Sequence, residues 1–169
     1  MISFSTHLPE MAAQICVLIF AFLACLAAVW DLRSFTIPNS ISIAVAALWP
    51  VYAIAAGLGL EAMAYAGTIA VGVLFVGMLG WSRGWVGGGD VKLFSAFALW
   101  AGPVGLIPLV VHTGIAGGVL SLFWLTSKPL RFAAVRAGLP VALTPPKHIP
   151  YGVAIAAAAV LLSIRLITV

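Results

Sequence analysis

The chain has 169 residues, of which 64% are hydrophobic and only 7% are charged. A soluble domain carries about 25% charged residues, because its surface must be hydrated. This composition excludes a soluble globular protein, and the abundance of apolar residues excludes a disordered chain. The sequence therefore predicts an integral membrane protein with a single domain over residues 1–169.

Uncharged runs predict the helices in chain order. The first three runs are each long enough to cross a hydrocarbon core of about 30 Å. The next run covers residues 93–127. As one helix it would measure about 52 Å, so we expect a break at Ala101-Gly102-Pro103 or at Pro108. An all-α protein with six transmembrane helices is predicted, with the approximate bounds 11–30, 41–60, 62–82, 91–102, 104–127 and 150–168.

The basic residues predict the orientation in the membrane. If residues 93–127 cross the membrane twice, the loops 31–40, 82–92 and 128–149 lie on the same side of it. These loops contain seven of the eight Lys and Arg residues. One crossing would divide the basic residues equally. Cytoplasmic loops are enriched in Lys and Arg, so we expect two crossings, with both termini outside the cytoplasm. The seven residues are Arg33, Arg83, Lys92, Lys128, Arg131, Arg136 and Lys147.

The same pattern bears on the start of the chain and on possible partners. No Lys or Arg precedes the first apolar run, so this run is expected to remain as a helix and not to act as a signal peptide. The net charge of +4 is attributed to topology, and no nucleic-acid partner is expected. Five tryptophans lie mostly near predicted helix ends and are expected to act as interfacial anchors, namely Trp30, Trp49, Trp81, Trp85 and Trp100.

The two cysteines, Cys16 and Cys25, both fall in the first predicted helix. On a helix they lie on opposite faces, about 13 Å apart along the axis, so they cannot form a disulfide with each other. The sequence has no CxxC pair of the kind that binds zinc. Neither a metal nor a cofactor is expected.

The acidic residues are the candidates for chemistry. Only four are present, Glu10, Asp31, Glu61 and Asp90. The predicted topology brings Asp31 and Asp90 to the cytoplasmic face, although they are 59 residues apart, and puts the two glutamates at the other face. An acidic residue in or beside a membrane span is costly, and is therefore a functional candidate.

The sequences around the two aspartates suggest how they would work. Gly87, Gly88 and Gly89 precede Asp90 and allow close backbone approach. Two neighbouring carboxylates share one proton, and such a pair supports peptide hydrolysis. Asp90 begins a predicted helix, whose positive end favours a carboxylate, and Asp31 follows the end of another. The helix dipoles therefore suggest Asp90 as the base and Asp31 as the proton carrier, although the pair titrates as a unit.

Three segments together resemble a known family. Gly87-Gly-Gly-Asp90 matches the GxGD motif of intramembrane-type aspartic peptidases. Asp31, followed by Ile37-Pro38-Asn39, resembles the first catalytic segment of the type IV prepilin peptidases, and Lys147-His-Ile-Pro-Tyr-Gly152 is similar to a later segment of that family. The chain looks most like the short TadV/CpaA form, which serves Flp-type pilins.

The resemblance implies removal of a basic leader peptide from Flp-like type IV prepilins at the cytoplasmic face of the inner membrane. It implies Asp31 and Asp90 as the catalytic pair, with the three glycines shaping the active-site loop. The expected partners are a prepilin or pseudopilin substrate and the lipid bilayer. The motif positions with supporting roles are Pro38, Asn39, Lys147, Pro150, Tyr151 and Gly152.

The sequence departs from the family in one respect. Longer members carry paired zinc-binding cysteines and also N-methylate the new terminus of the product. This sequence has no such cysteine pair, so no methyltransferase activity is expected.

There are three alternatives to this prediction. Presenilin-like enzymes pair GxGD with Tyr-Asp and Pro-Ala-Leu motifs, which Trp30-Asp31 and Pro140-Val-Ala-Leu143 do not match. A small ion- or proton-coupled transporter using the two aspartates would place them on broken helices near mid-membrane. For a scaffold subunit of a secretion machine, the motifs would be coincidence.

Overall fold

The structure is a computed structural model that describes residues 4–136 and 149–168. Helices account for nearly all of these residues. No strand occurs in these residues, so the predicted all-α class is confirmed for them. The helices found there are α1 (Phe4–Ser34), α2 (Asn39–Ala55), α3 (Leu60–Ser82), α4 (Gly88–Arg136) and α5 (Tyr151–Thr168).

The long helix α4 is broken at Gly102, one of the two places that the sequence suggested. Gly102 has φ 57° and ψ −167°, a conformation that glycine adopts readily and other residues rarely do. Pro103 follows at once, and proline is well tolerated at the first position of a helix because it has no N–H to leave unpaired. The helix continues through Pro108. The parts of α4 before and after Gly102 thus correspond to the predicted fourth and fifth helices.

Other helix bounds differ from those expected from the uncharged runs. α1 continues to Ser34 and therefore includes Asp31. α2 ends at Ala55 because Gly57, with φ 68°, turns the chain towards α3. The second part of α4 extends to Arg136, into the segment expected to be a loop.

The helices have the length and surface of a membrane protein. Three segments are long and apolar enough to cross a bilayer, namely Leu8–Ser34, Leu60–Ser82 and Gly88–Phe123. The apolar helices Asn39–Ala55 and Tyr151–Ile167 are shorter. Many large apolar side chains are exposed, as expected of a surface that faces lipid.

The core is centred on Trp100, in the first part of α4. Its ring stacks on Phe20 of α1 and Tyr52 of α2, with centroid distances of 4.4 and 4.9 Å. Its indole Nε1–H donates a hydrogen bond of 2.9 Å to the carbonyl of Val45. Trp49 is buried as well, so the expectation that Trp49 and Trp100 are interfacial anchors is wrong, because both side chains face other helices. The contacts of Trp100 hold the first part of α4 against α1 and α2.

The remaining packing brings several helix ends together. α1 packs against α2 and α5, and α4 packs against α2, α3 and α5. The start of α5 meets the end of α1 where Gly152 binds Asp31, and Ile37, which follows α1, packs against the start of α4. The candidate site lies there.

Candidate active site

Asp31 is buried in the last turn of α1 and is held by the start of α5. Its side chain is only 4% exposed. The backbone N–H of Gly152 donates a hydrogen bond of 2.7 Å to Oδ2 of Asp31. Backbone N–H groups in the first turn of a helix have no partner within the helix, so they are suited to bind a carboxylate.

The position of Asp31 in α1 bears on the role that helix dipoles suggested for it, that of the proton carrier. α1 does not stop at Asp31, because the N–H of Phe35 still donates to the Asp31 carbonyl at 2.9 Å. Phe35 has φ 53° and ends the helix only after Ser34. Asp31 thus lies within the last turn of α1 and does not follow its end, and its role as the proton carrier stays a prediction.

Asp90 lies in the first turn of α4, next to the glycine that precedes the helix. The Gly87 carbonyl accepts the N–H of Val91 at 3.1 Å, which begins the helical hydrogen bonding. A Cβ placed on Gly87 would stand 2.7 Å from Oδ2 of Asp90. The carboxylate thus folds back over Gly87, and the absence of a side chain there makes room for it.

Ile37 connects the surroundings of the two aspartates. A Cβ on Gly89 would stand 3.3 Å from Cβ of Ile37, and a Cβ on Gly152 would stand 2.8 Å from its Cδ1. Ile37 itself is buried. The glycine beside Asp90 and the glycine that binds Asp31 therefore pack on one side chain. Ile37 belongs to a motif segment, but nothing in the local sequence pattern predicts these contacts.

The two carboxylates are close enough to interact electrostatically. The structure thus brings together Asp31 and Asp90, with Gly87 just before α4, Gly89 in the first turn of α4 and Gly152 at the start of α5. Gly88 faces elsewhere, because a Cβ there would stand 3.2 Å from Nε1 of Trp81.

Pro38 and Asn39 begin α2 beside this site. Pro38 is extended, with φ −62° and ψ 137°, and immediately precedes the helix. Oδ1 of Asn39 accepts a hydrogen bond of 3.0 Å from Nζ of Lys92. From the sequence, Lys92 was expected only to mark the cytoplasmic side as a basic residue. Its partner lies on another helix, which no spacing rule within α4 reveals.

Pro150 and Tyr151 begin α5. Pro150 is fully buried, and its carbonyl accepts the N–H of Val153 at 3.2 Å. A Cβ on Gly117 would stand 2.9 Å from Cε1 of Tyr151, so Tyr151 packs against the second part of α4. The remaining predicted motif residue, Lys147, lies outside the described residues. Within the residues searched, no three His, Cys, Asp or Glu side chains are grouped so that they could hold a metal ion.

Comparison with known proteins identifies the family. The model of the type IV leader peptidase family matches residues 18–122, more than half of the chain. The chain belongs to the type IV leader peptidase family. The matched region of this type IV leader peptidase includes Asp31, Asp90 and the three glycines before Asp90. Comparisons with curated proteins and with solved structures found no match. Family membership indicates a membrane peptidase with a leader-peptidase-like function.

Proposed function

We propose that this protein is an aspartic endopeptidase that removes the basic leader from Flp-like type IV prepilins or pseudopilins. Asp31 and Asp90 are its catalytic pair. The observation that carries the proposal is that two carboxylates far apart in the sequence lie in one cluster, because Gly89 beside Asp90 and Gly152, which binds Asp31, both pack on Ile37. Asp31 is buried and Asp90 is half-buried. Acidic residues in or beside membrane spans are costly, and a shared catalytic role accounts for both.

The pair acts on a water molecule and the scissile peptide bond. The ionised carboxylate takes a proton from water as the water oxygen attacks the carbonyl carbon, while the protonated partner polarises the carbonyl oxygen. Breakdown of the tetrahedral intermediate breaks the C–N bond, and the departing amine takes a proton from the pair. The Gly152 N–H keeps Oδ2 of Asp31 as a hydrogen-bond acceptor throughout. The two carboxylates are treated as one unit that shares a proton.

The proposal includes six membrane crossings, formed by α1, α2, α3, the two parts of α4, and α5. Both termini then lie outside the cytoplasm, and the aspartates lie at the cytoplasmic face of the inner membrane. The distribution of seven of the eight basic residues supports this orientation. A bond at this face is accessible to a substrate whose basic leader is cytoplasmic and whose next segment enters the bilayer.

We further propose that the protein does not methylate its product. The cysteines that the structure describes, Cys16 and Cys25, are free, and one is buried within α1 while the other is exposed on it. They do not form the paired zinc-binding arrangement of the longer members.

A transporter that uses the two aspartates is the alternative. It calls for acidic groups on broken helices near mid-membrane. Asp31 lies in the last turn of α1 and Asp90 in the first turn of α4, whereas the break in α4 is at Gly102. Carboxylates near helix ends favour a peptidase that meets its substrate at the membrane surface.

The deciding experiment co-expresses a candidate prepilin with Asp31→Asn or Asp90→Asn and follows leader removal by mass spectrometry. Either substitution should abolish processing, because one carboxylate of the pair is then lost. Glu61→Gln is the matched control, since Glu61 is exposed in the first turn of α3. Processing that survives either aspartate substitution contradicts the aspartic mechanism. The mass of the product's N-terminus also tests for methylation.

A further inference from the structure

A groove of about 410 Å³ lies between α2, α3 and α4. On α2, the groove is lined by Asn39 and by the residues three, four and seven positions after it. On α4, it is lined by Lys92 and by the residues three, four and seven positions after it. Positions with this spacing share one helix face. Because Asn39 contacts Lys92 and Val45 contacts Trp100, α2 and α4 run in the same direction. The groove therefore follows two aligned helix faces for about 10 Å.

One end of the groove is polar. Nζ of Lys92 donates to Oδ1 of Asn39 at 3.0 Å, and this neutral amide leaves the positive charge of the ammonium group in place. One helical turn further, Ser42 is only 7% exposed, and its Oγ has no hydrogen-bond partner. A buried hydroxyl without a partner is unusual and costly, so it indicates a missing hydrogen-bond acceptor.

The rest of the groove is apolar and open at its edge. Ala46 of α2, Leu74 of α3 and Leu99 of α4 line its deeper part. At its edge, Ile43 and Val71 are 65% and 67% exposed. Exposed apolar residues on membrane-spanning helices face lipid, so the groove opens towards the acyl chains of the bilayer.

We propose that this groove binds one anionic glycerophospholipid. Lys92 and the amide N–H groups of Asn39 bind the phosphate. Ser42 donates its hydroxyl proton to an ester carbonyl one turn deeper, and an acyl chain lies along Ala46 and Leu99. Basic pockets between transmembrane helices are known to bind anionic lipid headgroups by this combination of charge and depth.

A peptide segment fits the groove less well than a lipid. An α-helix about 10 Å wide fills roughly 800 Å³ over 10 Å of length, about twice the volume present. An extended peptide would fit, but its backbone polar groups would lack partners among apolar side chains in the membrane. An acyl chain has no polar groups to satisfy. The dimensions and the lining thus favour a lipid over a segment of the substrate.

The test measures lipid binding by the full-length protein, purified in detergent, with native mass spectrometry. The probes are phosphatidylglycerol and phosphatidylcholine with identical acyl chains. The wild-type protein should retain phosphatidylglycerol preferentially, and Lys92→Gln should weaken its binding about fivefold. Ser42→Ala should weaken the binding of both lipids, because both carry the ester carbonyl. Val71→Trp should reduce the retention of both by obstructing the edge of the groove.

Two controls make the result specific. Arg83→Gln removes a positive charge in the turn after α3, outside the groove, and should leave binding unchanged. Asp31→Asn should also retain the lipid, so that lipid binding and peptidase activity are tested separately. Lipid binding is compared only among variants whose thermal unfolding midpoint equals that of the wild type. Equal retention of the two lipids by the wild type, or a preference that Lys92→Gln and Val71→Trp both leave intact, would overturn the proposal.

Discussion

The backbone N–H of Gly152 donates a hydrogen bond of 2.7 Å to Oδ2 of Asp31, across 121 residues of sequence. The start of α5 therefore holds a carboxylate that belongs to the end of α1. A Cβ on Gly152 would stand 2.8 Å from the same oxygen, so the contact requires glycine at this position. The motif segment that ends at Gly152 thus contributes to the candidate site through the backbone N–H of Gly152 and through the absence of a side chain at that residue.

Gly152→Ala should impair cleavage of the leader. The added methyl group would also stand 2.8 Å from Cδ1 of Ile37, so either Asp31 or α5 must shift. A displacement of about 1 Å at a catalytic group can reduce the rate about 100-fold, and overpacking costs about 1–3 kcal/mol of stability. The cleavage rate and the thermal unfolding midpoint are both measured. Gly118→Ala is the control, since a Cβ there meets no atom within 4 Å. A Gly152→Ala variant with normal cleavage would show that the contact does not position Asp31.

Gly87→Ala should reduce the turnover number with little loss of stability. The methyl group would stand 2.7 Å from Oδ2 of Asp90, the free end of a side chain that can rotate away. Rotation changes the geometry of the pair but leaves the packing of α4 intact. Steady-state cleavage kinetics and thermal unfolding separate the two effects. Gly72→Ala serves as the comparison, because it lies in α3 with no atom within 4 Å of its Cβ. A stability loss without a kinetic effect would mean that Gly87 serves the fold alone.

The cleavage rate should depend on pH through two groups. Neighbouring carboxylates that share one proton titrate as a pair with two macroscopic steps, and the active form lies between them. The initial cleavage rate of purified protein is measured across the pH range in which its unfolding midpoint is constant. A profile that fits one ionisation would argue against a shared proton. No such profile is expected from Asp31→Asn, because that variant should not cleave.

Part of this structure follows from the sequence alone. Apolar runs predicted the helices, because a backbone inside a membrane must pair its polar groups within a helix. They did not predict the ends of α1 and α2, which depend on single residues with positive φ, Phe35 and Gly57. The meeting of Asp31 and Asp90 at one end of the structure was expected from loop charges. The pairing of Asp31 with Gly152 was not.

The sequence did not predict which side chains of different helices contact one another. Lys92 was predicted only as one of the basic residues that mark the cytoplasmic side, yet its side chain binds Asn39 of α2. Trp100 was expected at the interface, because a tryptophan near a helix end is typical both of an interfacial anchor and of a core residue. Only the arrangement of α1, α2 and α4 distinguishes these two positions. One-dimensional periodicity describes a face of a helix but does not identify the helix that covers it.

Gly102→Ala should destabilise the protein by weakening the break in α4. Gly102 has φ 57° and ψ −167°, a region that is essentially restricted to glycine, and a residue with a side chain is destabilised there by about 1–3 kcal/mol. The unfolding midpoint in detergent should therefore fall. Gly114→Ala provides the control, because it lies in the second part of α4 with free space around it. An unchanged midpoint for Gly102→Ala would mean that α4 tolerates another geometry at this residue.

Trp100→Phe should lower the stability by removing one hydrogen bond while keeping an aromatic ring. The ring of Phe can still stack between Phe20 and Tyr52, but it has no N–H to donate to the Val45 carbonyl. The loss of a buried hydrogen bond of this kind costs about 1 kcal/mol. Trp85→Phe is the matched control, because Trp85 is 71% exposed. Thermal or denaturant unfolding in detergent measures both variants. If they lose the same stability, the bond from Trp100 to Val45 does not hold α4 against α2, and the alignment of the two helices must depend on the stacked rings.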